Sequence, residues 1–234
     1  MTLGNVLTFN KSLQEKVEKP FKGETIVSDG KGGHTVSKIE LSRVASVLLN
    51  LSVKEVLDNK SKLKDFALSK VDPLTMSDLG FGYLVSKLGK NKNLTKVGFN
   101  ATATYDAATE KWTYGGSFAK LFTTMFNYTV KVLRDAQSNG GLLNFVKEGS
   151  RQLTIGDIAG EAMLMVINKG VADGKKAGMT IEKDEASGKW TVSGKYASLF
   201  TNLFNINIRD FAGGLTSTKP TEYLARADVL GSIY

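Results

Sequence analysis

Apolar positions change period several times along the chain, and each change predicts an element. The run FNATATY (99–105) alternates apolar and polar residues as a strand does, and KWTY (111–114) can pair back on it. Asp106 to Glu110 has the length of a short hairpin loop, where an aspartate side chain can accept from its own backbone. Beyond the loop, Phe118, Leu121, Phe122, Met125, Phe126 and Leu133 fall at i, i+3, i+4 spacing, which predicts a helix with one apolar face. Its last part, NYTVKV (127–132), alternates again and carries β-branched residues, so it reads as helix or strand.

The same succession occurs again further on. DAATEKWT (106–113) is matched by DEASGKWT (184–191), which places Trp112 and Trp190 78 positions apart. GGSFAKLFTTMFN (115–127) aligns without a gap on SGKYASLFTNLFN (193–205). A further copy stands in front: NLSVKEVLDN (50–59) resembles NYTVKVLRDA (127–136), and Leu41, Val44 and Leu48 fall on Phe118, Leu121 and Met125. There SDGKGGHT (28–35) takes the place of the tryptophan hairpin, with Gly30, Gly32 and Gly33 in the turn. The expected fold is therefore α+β: a tandem repeat of about 78 residues, each unit a β-hairpin plus a helix, joined by helical pairs. The expected divisions are a partial first repeat over 1–59, full repeats over 60–137 and 138–214, and a C-terminal arm over 215–234. The repeats are expected to pack as one body.

Two of the helical stretches open alike, as LTMSDLG (74–80) and LTIGDIA (153–159). Thr-x-x-Asp is the spacing of a capping box, with Thr75 or Thr154 as the cap and Asp78 or Asp157 reaching back. The recurring aspartate is read as a cap in preference to a pair of catalytic carboxylates, because local chemistry accounts for both copies.

Composition narrows the chemistry. With 234 residues, 41% of them hydrophobic and 23% charged, the chain can bury a sizeable core. It has no cysteine, which excludes disulfides and thiolate metal sites. The net charge of +8 points to an anionic partner or to a solvated lysine surface, since the basic residues are mostly lysine and are spread along the chain. The single histidine, His34, is placed by the pattern in the glycine-rich turn, and one imidazole makes neither a typical zinc site nor a triad. No phosphate-binding glycine loop occurs. No cofactor, no metal and no small-molecule substrate is expected, and the chain is read as a protein other than an enzyme. The N-terminal stretch lacks the pattern of a signal peptide, and the longest apolar run, AMLMVI (162–167), is too short for a membrane span, so the expected location is intracellular.

These readings lead to two functional expectations. The first is a structural or assembly protein, such as a component of a virion or another particle, with itself or other assembly proteins as partners. The C-terminal KPTEYLARADVLGSIY (219–234) is then a docking arm, through Tyr223, Leu224, Leu230 and Tyr234. The second is binding of single-stranded nucleic acid, with Lys111 and Trp112, and Lys189 and Trp190, supplying charge and a stacking face. A strand-rich unit followed by a helix is similar in outline to whirly- and PUR-type single-strand-binding repeats, although none of their motifs is matched. In the first case both tryptophans should occupy equivalent places, each packed on its following helix near Phe122 or Phe200.

Overall fold

The computed structural model describes residues 1–9, 11, 15–16, 26–36, 42–138, 141, 146 and 148–216. In chain order the elements are α1 (Leu3–Phe9), β1 (Ile26–Ser28), β2 (His34–Val36), α2 (Ser42–Leu49), α3 (Val53–Asp58), α4 (Leu63–Val71), α5 (Gly82–Gly89), α6 (Lys92–Thr95), β3 (Thr102–Asp106) and β4 (Lys111–Gly115). Then follow α7 (Ala119–Phe126), α8 (Val130–Ser138), α9 (Glu161–Ala172), β5 (Met179–Lys183), β6 (Trp190–Gly194), α10 (Ala197–Phe204) and α11 (Ile208–Thr216). Among the described residues the strands form three separate antiparallel hairpins amid helices, an α+β fold. The C-terminal arm lies outside the described residues except where α11 runs to Thr216.

Each hairpin turn is organised by one aspartate. Asp106 accepts from the Ala108 N–H at 2.9 Å and the Thr109 hydroxyl at 2.8 Å. Asp184 accepts from the Ser187 N–H at 2.6 Å, and Gly188 takes a φ of 67°. Asp29 accepts from the N–H groups of Lys31 and Gly33, with Gly30 and Gly32 in the left-handed region that glycine enters without strain. Registers correspond, with Tyr105 opposite Trp112 and Lys183 opposite Trp190.

Three expectations are corrected, the first being that Trp112 and Trp190 occupy equivalent places: Trp112 is half-buried beside Tyr105, whereas Trp190 is 1% exposed and packs on Phe204. The alternating stretches after the first helix are helical: α8 and α11 are new helices, so Leu133 belongs to a second element. Capping outweighs strand propensity there, since Thr129 accepts from the Val132 N–H and Asn207 from the Arg209 N–H. At the matching place Ser52 and Glu55 form a full capping box at α3. His34, expected in the turn, is instead the first residue of β2 and is 1% exposed.

The chain forms two compact units. The first comprises Met1–Leu84 and Phe126–Asn139. In it β2 leans on α2, the Val36 N–H donating to Ser46 Oγ at 2.8 Å, and Leu51 and Leu74 are buried. The second comprises Val85–Met125 and Gly140–Tyr234. Its core is Ile181, Trp190, Val192 and Phe204, closed by Ile155, Ala159 and Phe200 among others. Burying such aliphatic and aromatic groups contributes about 1.5–3 kcal/mol each.

Candidate functional site

The helix openings form as capping boxes. The Thr75 N–H donates to Asp78 Oδ2 at 2.8 Å while the Asp78 N–H donates to Thr75 Oγ1 at 3.3 Å. Thr154 and Asp157 repeat this pair at 2.9 and 3.3 Å. Thr2 and Asn5 make it as well, at 2.8 and 3.2 Å, so α1 opens in the same way. Single-residue bridges tie Thr2 to Ser52, Thr75 to Thr129 and Thr154 to Asn207.

Both aspartates are also the anions of ion pairs. Asp78 lies 3.4 Å from Arg43 Nε. Asp157, 1% exposed, lies 2.9 Å from Lys120 Nζ and 3.1 Å from Lys183 Nζ. Burial alone would push the Asp157 carboxyl up, but the Thr154 N–H and the two ammonium groups outweigh it and hold it below the ordinary aspartate range. Glu161, one turn along, goes the other way: burial raises it, and the nearby Asp157 adds to that against the pull of Lys183. Lys183 Nζ also sits 5.1 Å from the centroid of the Trp190 ring, within cation–π range.

Two side-chain clamps hold hairpin edges. Asn205 accepts from the Trp190 N–H at 2.9 Å and donates to the Trp190 carbonyl at 2.7 Å. Asn50 does the same for His34, at 2.7 and 2.8 Å. A Cβ at Gly156 would overlap the Trp190 ring, and one at Gly4 would overlap the His34 ring, so each ring rests on a glycine backbone. His34 Nε2 lies 3.4 Å from Thr8 Oγ1, while its Nδ1 and Trp190 Nε1 are buried with no hydrogen-bond partner among the described residues.

The four residues proposed to face nucleic acid are not brought together. Lys111 and Lys189 are exposed, Trp112 is half-buried against Tyr105 at 5.4 Å, and Trp190 is 1% exposed. Lys111 and Trp112 are neighbours on one strand and so stand on opposite faces. Trp190 packs edge-on to Phe204 at 6.2 Å, with Phe200 beside the same core. Tyr223, Leu224, Leu230 and Tyr234 lie outside the described residues. Sequence reading aligned Asn50, Asn127 and Asn205 without seeing the clamp, and it read the lysines, Lys120 among them, as a solvated surface.

The chain matches no protein-family model, no curated protein and no solved structure. Among the described residues no helix is long and apolar enough to cross a membrane.

Proposed function

We propose that the chain is a non-enzymatic assembly protein built as three copies of one module in tandem. Each module has a capped opening helix, a hairpin, a helix behind it and a second capped helix. The observation that carries the reading is the recurrence of one bonding set at corresponding positions. The Thr-to-Asn or Thr-to-Asp box appears at Thr2, Thr75 and Thr154, and the bridge to Ser52, Thr129 and Asn207 accompanies it. Asn50 and Asn205 clamp His34 and Trp190 alike. Under this reading the first module is complete, because α1 supplies the opening helix that the sequence pattern left out.

The ion pairs then join consecutive modules. Arg43 of the first meets Asp78 of the second, and Lys120 of the second meets Asp157 of the third. The buried charges are occupied in holding modules together, which favours a scaffold over a catalyst. Light scattering across a concentration series, alone and with particle fractions from the native source, tests the function. Self-association or retention on a particle is the expected result. A chain that stays monomeric and is retained by no particle overturns the assembly role.

Single-strand binding is the second reading, favoured by the net charge of +8 and by exposed Lys111 and Lys189. A gel shift with single strands at two salt concentrations separates it from the first, because phosphate contacts must strengthen at low salt.

A further inference from the structure

One contact is made twice inside the chain. Where the first module joins the second, Arg43 of α2 meets the buried Asp78. Where the second joins the third, Lys120 of α7 meets the buried Asp157, and the Phe118 N–H donates to the Glu161 carboxylate. Each joint thus has a tail, the start of the helix behind a hairpin, and a head, the opening helix of the next module. Among the described residues three tails and three heads make two joints, so one head and one tail are left over.

The remaining head is α1. With Thr2 aligned on Thr75 and Thr154, Asn5 stands at the place of Asp78 and Asp157, and Phe9 at the place of Glu161. The Phe9 ring is 94% exposed. The remaining tail is the start of α10. There Ser198 stands at the place of Arg43 and Lys120, and Tyr196 at the place of Phe118, whose left-handed backbone it shares with φ of 60° against 59°. Phe118 is half-buried, whereas Tyr196 is 60% exposed and Ser198 is exposed. A single exposed ring needs no explanation. These two, however, stand at the positions that meet when modules join, 118 against 161. The charges are also missing in step, the carboxylate from the head and the cation from the tail. The two open faces therefore match each other, amide to hydroxyl and ring to ring, and neither would bury an unpaired charge against the other.

We propose that the chain self-associates head to tail: α1 of a second copy docks on the start of α10, with Phe9 against Tyr196 and Asn5 against Ser198. The inference rests on the assembly reading and names its partner. The contact uses a different patch on each copy, so a copy with both faces intact goes on adding others or closes a ring.

Sedimentation velocity of the full chain over a concentration series tests the contact. The parent should pass from single copies to dimers and larger species as concentration rises. Phe9→Asp disables the head and Tyr196→Asp the tail. Both positions are exposed, and aspartate enters the left-handed region that residue 196 occupies, so both variants should melt close to the parent. Each alone should weaken association by about tenfold or more, the effect of deleting an interface anchor. Mixed in equal amounts, the two should form a dimer and nothing larger, because each supplies the one face that the other lacks. Asn5→Asp together with Ser198→Lys places the internal ion pair on the open faces and should tighten association about two- to fivefold, as an exposed pair does. The cap of α1 survives that change, since aspartate fills it at Thr75 and Thr154. A mixture that stays monomeric, or self-association that the aspartate variants leave unchanged, overturns head-to-tail docking. A chain that never self-associates but is retained on a particle sinks this contact alone and leaves the assembly role standing. A chain that does neither sinks both.

Discussion

The second and third hairpins share a nearly identical octamer and the same strand register, yet they hold their tryptophans differently. Trp190 is sealed in a core, and Trp112 is half-open. The octamer sets the turn and the pairing; neighbours supplied by other elements set the burial. Across from Trp190 stands Lys183, whose ammonium lies over the ring and pairs with Asp157. Across from Trp112 stands Tyr105, a second ring that shares the same half-exposed strip. Gly156 and Gly160 also let the helix backbone close on the Trp190 ring.

The largest expected effect tests that contrast directly. Trp190→Ala should cost about 3–5 kcal/mol, the range for deleting a buried large aromatic. Trp112→Ala should cost about 1–2 kcal/mol, since its ring is only partly withdrawn from water. Urea titrations of both variants measure the two costs, and equal values would dissolve the distinction. Iodide should correspondingly quench the fluorescence of the Trp190→Phe variant, which retains Trp112, more than that of Trp112→Phe.

Next in size, Gly156→Ala should cost about 1–3 kcal/mol, because its methyl group must displace the Trp190 ring. A thermal melt unchanged by this substitution would remove the glycine seat from the explanation. Asn205→Ala follows at about 1–3 kcal/mol, since it leaves the buried Trp190 N–H without an acceptor. Hydrogen exchange at the Trp190 amide should accelerate more than at its strand neighbours.

The smallest effects concern pH, and the two carboxyls have opposite signs. Asp157 sits below its ordinary value, so its contribution is present above pH about 4 and is lost as pH falls through the lowered folded value. Asp157→Asn should therefore flatten the acid limb of the stability curve. Glu161 sits above its ordinary value, so folding is favoured below the unfolded value and the contribution is lost as pH rises through the raised one. Glu161→Gln should raise the melting temperature slightly at pH 7 and leave it unchanged at pH 3. A gain of equal size at both pH values would disprove the sign assigned to Glu161.

Much of this arrangement was legible in the sequence. The aspartate turns and the Thr75 and Thr154 boxes depend on contacts within a few residues, and such contacts leave a fixed spacing behind. The α8 and α11 helices were ambiguous because Thr129 and Asn207 cap them by short polar bonds that a count of apolar residues does not register. The burial of Trp190 and His34 was not legible. It depends on Gly156 and Gly4, whose only contribution is the absence of a side chain, and on Asn205 and Asn50, fifteen and sixteen residues away. Lys120 looked like one more member of a lysine surface, and only its distance to Asp157 distinguishes it.

The asparagine clamps have a consequence for how these hairpins meet other backbones. A two-stranded sheet has two outer edges, each able to recruit a foreign strand. On β6 the outward N–H and C=O of Trp190 are taken by Asn205, and the N–H of Val192 by Thr201 Oγ1 at 2.9 Å. On β2 the same groups of His34 are taken by Asn50, and the N–H of Val36 by Ser46. The second strand of each of these hairpins is thus closed to an incoming strand by side chains from the helix behind it. Neither hairpin can therefore be extended from both edges into a continuous fibril sheet.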